Sequence, residues 1–308
     1  MSSEVGAVVL IGYGGPEKPE DIIPFLKNVA SGRPIPEDRL KEVAHHYELI
    51  GGRSPLNELT YRQGDKLRKF LSEKGHDLPV FVGMRNWHPF YYDTVKEMAD
   101  LGIKKAVGVI MAIYQCDTSW ERYQREFDEA CRQQGLDLEF VYTDVLFDHP
   151  LFIENCADNI QECLDMIPKD EIEDTKVIFT AHSIPTPMAE DSPYVHQFET
   201  SSRLVAEQLG HKNWMTAYQS RSGAPSSPWL EPDVCDVIDM IASEGVKNIV
   251  VQAIGFVCDH VEVMFDIGVE AKEAAEKNSI NLYIAKTVND DDLYIRSIEE
   301  SVLKKLDP

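Results

Sequence analysis

Three acids stand four residues apart in the stretch 247–270, at Glu262, Asp266 and Glu270. An apolar run ends ahead of them at Gly255, and Asp259 and His260 open the helical pattern that carries them. Carboxylates at this spacing share one face of a helix, each about 6 Å beyond the last in an α-helical rise. Such a row can accept a proton or a cation and hand it on. For Asp266 and Glu270 the competing reading is a solvated acidic face, which Asp259 and Glu273 would extend. Glu262 falls one turn beyond a strand end, where open α/β sheets place their ligands, and so reads as a chemical group.

The second group is His182, in Thr180-Ala181-His182-Ser183-Ile184-Pro185-Thr186. Imidazole exchanges protons near neutral pH, so with a carboxylate nearby it makes a proton acceptor or one half of a transient metal contact. The third is Tyr13, in Gly12-Tyr13-Gly14-Gly15-Pro16-Glu17. Its glycines let backbone approach a ligand, yet Glu17 occupies the place where a dinucleotide fingerprint needs another glycine. A tight turn with a half-buried tyrosine is the alternative. Loops at other strand ends add Gly51-Gly52-Arg53-Ser54-Pro55, Gly83-Met84-Arg85-Asn86-Trp87, Thr118-Ser119-Trp120-Glu121-Arg122-Tyr123 and Gln219-Ser220-Arg221-Ser222-Gly223. Singly these read as turns or caps. Together they give a cleft an arginine-bearing rim.

The elements that must hold these groups alternate between strand and helix, the pattern of parallel α/β units. Strands are expected at 7–12, 79–83, 106–113 and 138–143, then at 176–181, 215–219, 248–254 and 281–285. Helices are expected at 56–71, 90–101, 119–131, 232–241 and 259–277. The halves also resemble each other: Leu101-Gly102-Ile103-Lys104 leads to Cys116-Asp117 and a helix, as Glu244-Gly245-Val246-Lys247 leads to Cys258-Asp259 and a helix. That internal repeat predicts two copies of one sandwich, residues 1–168 and 169–308, with the ligand between their strand ends. Tyr13 and His182, at equivalent positions, are then expected to face each other.

Composition narrows the function classes. A formal net charge of −23 disfavours nucleic acid and anionic membrane surfaces, which are themselves polyanions. No apolar stretch reaches the ~20 residues of a membrane span, and the N-terminal residues lack the basic region of a signal peptide. Six cysteines without a CxxC pair read as reduced thiols of a cytoplasmic protein. There is no serine elbow, no P-loop and no H-x-x-x-H spacing of zinc ligands.

The motifs GYGGPE, IGGRSPLNE, GMRNWHPF, TAHSIPT, YQSRSGAPSSPWLEPDV and GFVCDHVEVMFDIGVE, in that order, resemble those of ferrochelatases. Within that family the chain looks most like coproporphyrin III ferrochelatases, through Tyr13, the loop at Arg85 and the stretch from QSRSG to WLEPD. The resemblance implies two Rossmann-like, chelatase-type halves, each a four-stranded parallel sheet flanked by helices. It implies insertion of ferrous iron, as substrate, into a porphyrin in haem biosynthesis, with His182 and Glu262 at the metal-insertion face and Tyr13 as axial ligand to the inserted iron. Ser54 and Tyr123 match positions that contact substrate propionates, and Asp266 and Glu270 match a line of acids that relays metal or protons. Some relatives carry arginines where Ala30 and His46 stand, which leaves Arg33, Arg53 or Arg85 as substitutes. No iron–sulfur cluster is expected, because the cysteine-bearing C-terminal extension of some members has no counterpart here. Expected partners are the porphyrin, ferrous iron and transient contacts with neighbouring haem-pathway enzymes. A protoporphyrin IX ferrochelatase, a cobalt or nickel chelatase and a non-catalytic tetrapyrrole carrier are the other readings.

Overall fold

The run AVVLIG buries all six of its side chains, which only a strand covered on both faces can do. In the computed structural model, which describes residues 4–32, 36–222 and 226–306, this run is β1 (Ala7–Gly12). It is followed by β2 (Val80–Met84), β3 (Lys105–Ile110), β4 (Glu139–Tyr142), β5 (Lys176–His182), β6 (Trp214–Gln219), β7 (Asn248–Gln252) and β8 (Asn281–Ala285). The helices are α1 (Ile22–Val29), α2 (Glu37–Leu49), α3 (Leu56–Glu73), α4 (Tyr91–Asp100), α5 (Arg122–Gln133), α6 (Pro150–Leu164), α7 (Thr186–Glu190), α8 (Tyr194–Leu209), α9 (Val234–Ala242), α10 (Lys272–Lys277) and α11 (Asp292–Leu306). Two π-helical segments, Asp117–Glu121 and Val263–Ala271, lead into α5 and α10.

The strands form two four-stranded sheets, ordered β2-β1-β3-β4 and β6-β5-β7-β8, and every pairing is parallel. Each sheet therefore reverses its order once, beside β1 in one and beside β5 in the other. Ligands of such sheets sit outside the carboxyl ends at that switch point. Tyr13 directly follows β1, and His182 ends β5.

The chain folds into two compact units. One comprises Met1–Ala112, Asp117–Leu146 and Asn289–Pro308; the other comprises Ile113–Cys116 and Phe147–Val288. This differs from the chain-order division at residue 168. Helix α6 packs on α8, β7 and β8 through buried Phe152, Ile153, Cys156 and Ile160, so it belongs with the second sheet. Helix α11 packs on α3 and β3 in the first unit, where Arg296 stacks on the Phe70 ring at 3.6 Å and Lys66 bonds Asp292 at 2.9 Å.

The first core gathers Val9, Ile11, Val95, Met98, Trp120, Tyr123 and Phe127, with Tyr13 packed against it. The second gathers Ile178, Val237, Ile238, Ile249, Val251 and Ile267. Among the described residues no helix is long and apolar enough to cross a membrane.

Candidate active site

In the second unit the site starts from a close approach between β5 and the exit of β7. Gly255 donates its N–H to Thr180 O at 3.0 Å, and a Cβ there would lie 2.7 Å from Ala181 Cβ and 2.8 Å from Ala181 Cα. Only glycine fits. The segment leading to Glu262 is thereby pressed against the strand that ends at His182.

His182 is fixed at both ends. Its carbonyl accepts the Tyr194 hydroxyl at 2.9 Å, and its Nδ1 faces the Ser183 carbonyl at hydrogen-bond distance. A carbonyl only accepts, so Nδ1 carries a hydrogen and Nε2 is the nitrogen that can gain or lose a proton. That nitrogen lies 3.8 Å from Glu262 Oε1. On its other side, Glu262 Oε2 lies 3.5 Å from His260 Nε2, a neighbour read in the sequence only as part of a helix opening. The His260 ring is tilted against Phe256 with centroids 4.6 Å apart, and its buried Nδ1 has no hydrogen-bond partner among the described residues. Burial alone would raise the Glu262 carboxyl, but the charge of His182 and the hydrogen bond and charge of His260 outweigh it and hold the group down at about 2.

The acids beyond Glu262 do not follow the expected α-helical rise. Residues Val263–Ala271 are π-helical, with i→i+5 bonding that widens the turn, a conformation that recurs at functional sites. Asp266 sits between Ser220, whose hydroxyl donates to its Oδ2, and Gln219 Nε2 at 3.4 Å. Burial pushes the Asp266 carboxyl up to about 8; the charges of Glu262 and Glu270 add to this, and the bonds from Ser220 and Gln219 oppose it. At neutral pH this group is a carboxylic acid next to the Glu262 carboxylate, while Glu270 is exposed. Gln219, fully buried, ties the segment to the sheet: its Nε2 donates to Glu262 O at 2.8 Å and its Oε1 accepts from Thr180 Oγ1 at 2.7 Å. Sequence reasoning placed Gln219 at a strand end opening a polar loop and missed this role.

In the first unit, the Tyr13 carbonyl accepts from Asn86 N at 2.9 Å and Asn86 Nδ2 at 3.2 Å, and its ring meets Phe25 edge-on with centroids 6.2 Å apart. The glycines after it are needed. Gly14 has φ +85°, and a Cβ on Gly15 would lie 2.7 Å from Ser54 Cβ. Ser54 is buried; its N–H donates to Pro16 O at 2.8 Å and its hydroxyl accepts from Leu56 N at 3.3 Å. Asn57, also missed in the sequence, clasps the same turn by accepting from Gly15 N at 2.9 Å and donating to Gly15 O at 3.2 Å.

The arginines differ in what they are free to do. Arg85 is sunk against Glu126, donating from Nε at 2.6 Å and from Nη2 at 3.3 Å, with Nη1 on Asn86 Oδ1 at 3.0 Å. Arg53 is exposed and lies 3.4 Å from Glu58. Tyr123 is buried in the apolar cluster with Trp120 and Phe127. Arg33 lies outside the described residues.

Among the described residues no set of three or more His, Cys, Asp or Glu side chains is arranged to hold a metal ion. The second unit instead offers an imidazole Nε2, an ionised carboxylate and a protonated acid in succession, which suits acceptance and removal of protons.

A family model described as ferrochelatase matches residues 5–306. A protein of Streptomyces coelicolor named coproporphyrin III ferrochelatase is 37% identical over 325 residues, covering 99% of this chain and 86% of its own. A ferrochelatase of Rhodopirellula baltica is 39% identical over 276 residues, covering 89% and 78%. Among solved structures, SirB from Bacillus subtilis with Fe3+ superposes with a TM-score of 0.60 over 98% of this chain and 96% of that one, at 9% identity, a likeness of fold alone. Together, the motifs, the paired parallel sheets and the match along nearly the whole length place this chain in the ferrochelatase family.

Proposed function

We propose that the protein inserts ferrous iron into coproporphyrin III, releasing two protons and yielding coproheme, and that it does so in the cytoplasm. The observation that carries this reading is the His182–Glu262 pair, whose free imidazole nitrogen faces an ionised carboxylate. The pyrrole N–H groups of a free porphyrin are too weakly acidic to ionise in neutral water. Insertion therefore needs a bent ring that exposes a nitrogen lone pair, a metal brought to that face and a base for the protons. Bending of about 1–5 kcal/mol can be drawn from contacts to the ring periphery. His182 Nε2 accepts a pyrrole proton, Glu262 stabilises the imidazolium or meets the arriving cation, and Asp266 exchanges the proton onward. Tyr13 supplies the axial oxygen to the inserted iron, and Ser54 and Tyr123 line the turn and helix that meet the propionates.

Coproporphyrin III is favoured over protoporphyrin IX because relatives such as that of Streptomyces coelicolor, which align along almost the whole chain, carry that name. Six free cysteines support the cytoplasmic placement. The test is an anaerobic assay with Fe2+ and each porphyrin separately, following loss of free-base fluorescence. Faster insertion into coproporphyrin III is expected. Full activity in His182→Ala would overturn the mechanism, and no insertion into either ring would overturn the function.

A further inference from the structure

The ion-pair cluster of the first unit carries a positive charge that no protein group uses. Arg85, with its side chain 9% exposed, commits both edges of its guanidinium to Glu126 and Asn86. It could take a ligand carboxylate only by breaking a half-buried ion pair. Glu126 Oε1 also accepts from Arg122 Nε at 2.6 Å, so one carboxylate stands between two guanidinium groups. The cluster is left with a net charge of +1 in a protein of net charge −23.

That spare charge resides on Arg122. Its side chain is 27% exposed, and among the described residues its only hydrogen bond is the one from Nε to Glu126. Both Nη groups remain, and together they form the end-on fork that matches a carboxylate. Arg122 opens α5, one residue before Tyr123, and the segment leading to it follows β3 beside the switch point of the first sheet. Arg85 reaches the Tyr13 carbonyl through Asn86, and Tyr13 packs against the apolar cluster that holds Tyr123, so the ion-pair cluster adjoins the phenols of the candidate site. The neighbouring Arg125 is 55% exposed and pairs with Asp117, and Arg53 pairs with Glu58; neither is sheltered and preset in the same way.

We propose that Arg122, braced by Glu126 against Arg85, binds a peripheral carboxylate of the tetrapyrrole and so helps to select rings with more carboxylates. This rests on the porphyrin reading above. Arg85 is then a positioning residue, joined to the Tyr13 turn through Asn86.

The test is a metal-free fluorescence titration of the full chain with coproporphyrin III and with protoporphyrin IX. Arg122→Ala is expected to weaken coproporphyrin III binding about tenfold, the scale of a charge-assisted bidentate bond, with a smaller loss for protoporphyrin IX. Arg122→Lys should recover part of that loss, and Arg125→Ala should stay within about twofold of the parent, as suits an exposed ion pair. The parent's affinity should fall more steeply with salt than that of Arg122→Ala. Equal binding by Arg122→Ala and the parent, or an equal loss in Arg125→Ala, overturns the assignment while leaving the porphyrin reading intact. A parent that binds neither ring overturns both.

Discussion

His182 Nε2 stands 3.8 Å from Glu262 Oε1, too far for a hydrogen bond and close enough for one charge to govern the other. Because Nδ1 is occupied by the Ser183 carbonyl, the nitrogen that can gain a proton is the one that faces the acid. The gap leaves both groups free to meet a substrate. A base tied directly to its carboxylate would have to break that bond first.

Glu262→Gln keeps the shape and removes the charge. Turnover is expected to fall on the order of 100-fold, the lower range for loss of an acid–base group, while porphyrin affinity changes little. Steady-state kinetics beside a metal-free binding titration separate the two. An equal loss of both would assign this carboxylate to docking.

His260 is the second imidazole that holds Glu262 down at about 2. In His260→Ala, desolvation is opposed by His182 alone, so the Glu262 midpoint should move up toward the ordinary carboxylate range. Carbon-13 NMR of labelled glutamate side chains reads it directly. A depressed carboxyl stabilises the fold above its unfolded midpoint and loses that contribution as pH falls toward 2. The variant should therefore show a smaller acid-induced drop from this group than the parent does. An unmoved midpoint would remove His260 from the site.

How far the sequence foretold this arrangement varies with the kind of signal. Strands β1 and β8 fall on their expected bounds, and β1 does so because a buried parallel strand announces itself as a short β-branched run closed by turn residues. Gly255 was legible as a break after a strand, although β7 ends at Gln252, and its contact with Ala181 shows why the position needs glycine. The π-helical turns of Val263–Ala271 were not, since side-chain periodicity does not reveal a change in backbone bonding. Arg85 looked like a free carboxylate contact because its partner Glu126 lies 41 residues further on. The return of α11 to the first unit was hidden too, as an amphipathic helix shows which face it buries and not against what.

Asp266 is raised to about 8, mainly by burial. A carboxyl whose folded midpoint lies above its unfolded one makes the folded state bind more protons between the two values, so its contribution to stability declines as pH rises from about 4 to about 8. Asp266→Asn removes that decline. Its melting temperature relative to the parent should rise between pH 5 and pH 8 by at least about 2 °C, the scale of 1 kcal/mol in a chain of this size. Iron insertion by the same variant should slow, because an amide cannot pass a proton to solvent. A pH-independent difference in melting temperature would mean that Asp266 is ionised throughout.

Gly255→Ala tests whether the site depends on the contact between β5 and the exit of β7. The added methyl would lie 2.7 Å from Ala181 Cβ and 3.4 Å from Thr180 O, and the backbone of the central strand leaves little room to relax. Overpacking of this kind costs typically about 1–3 kcal/mol. The shift should also carry the segment that bears His260 and Glu262 away from His182, so turnover should fall further than the loss of folded protein explains. Ala181→Gly in the same chain removes the opposing methyl and should restore part of both stability and turnover, which denaturant unfolding and the anaerobic insertion assay measure together. If Gly255→Ala inserts iron at the parental rate, the spacing between His182 and Glu262 is held by something other than this glycine.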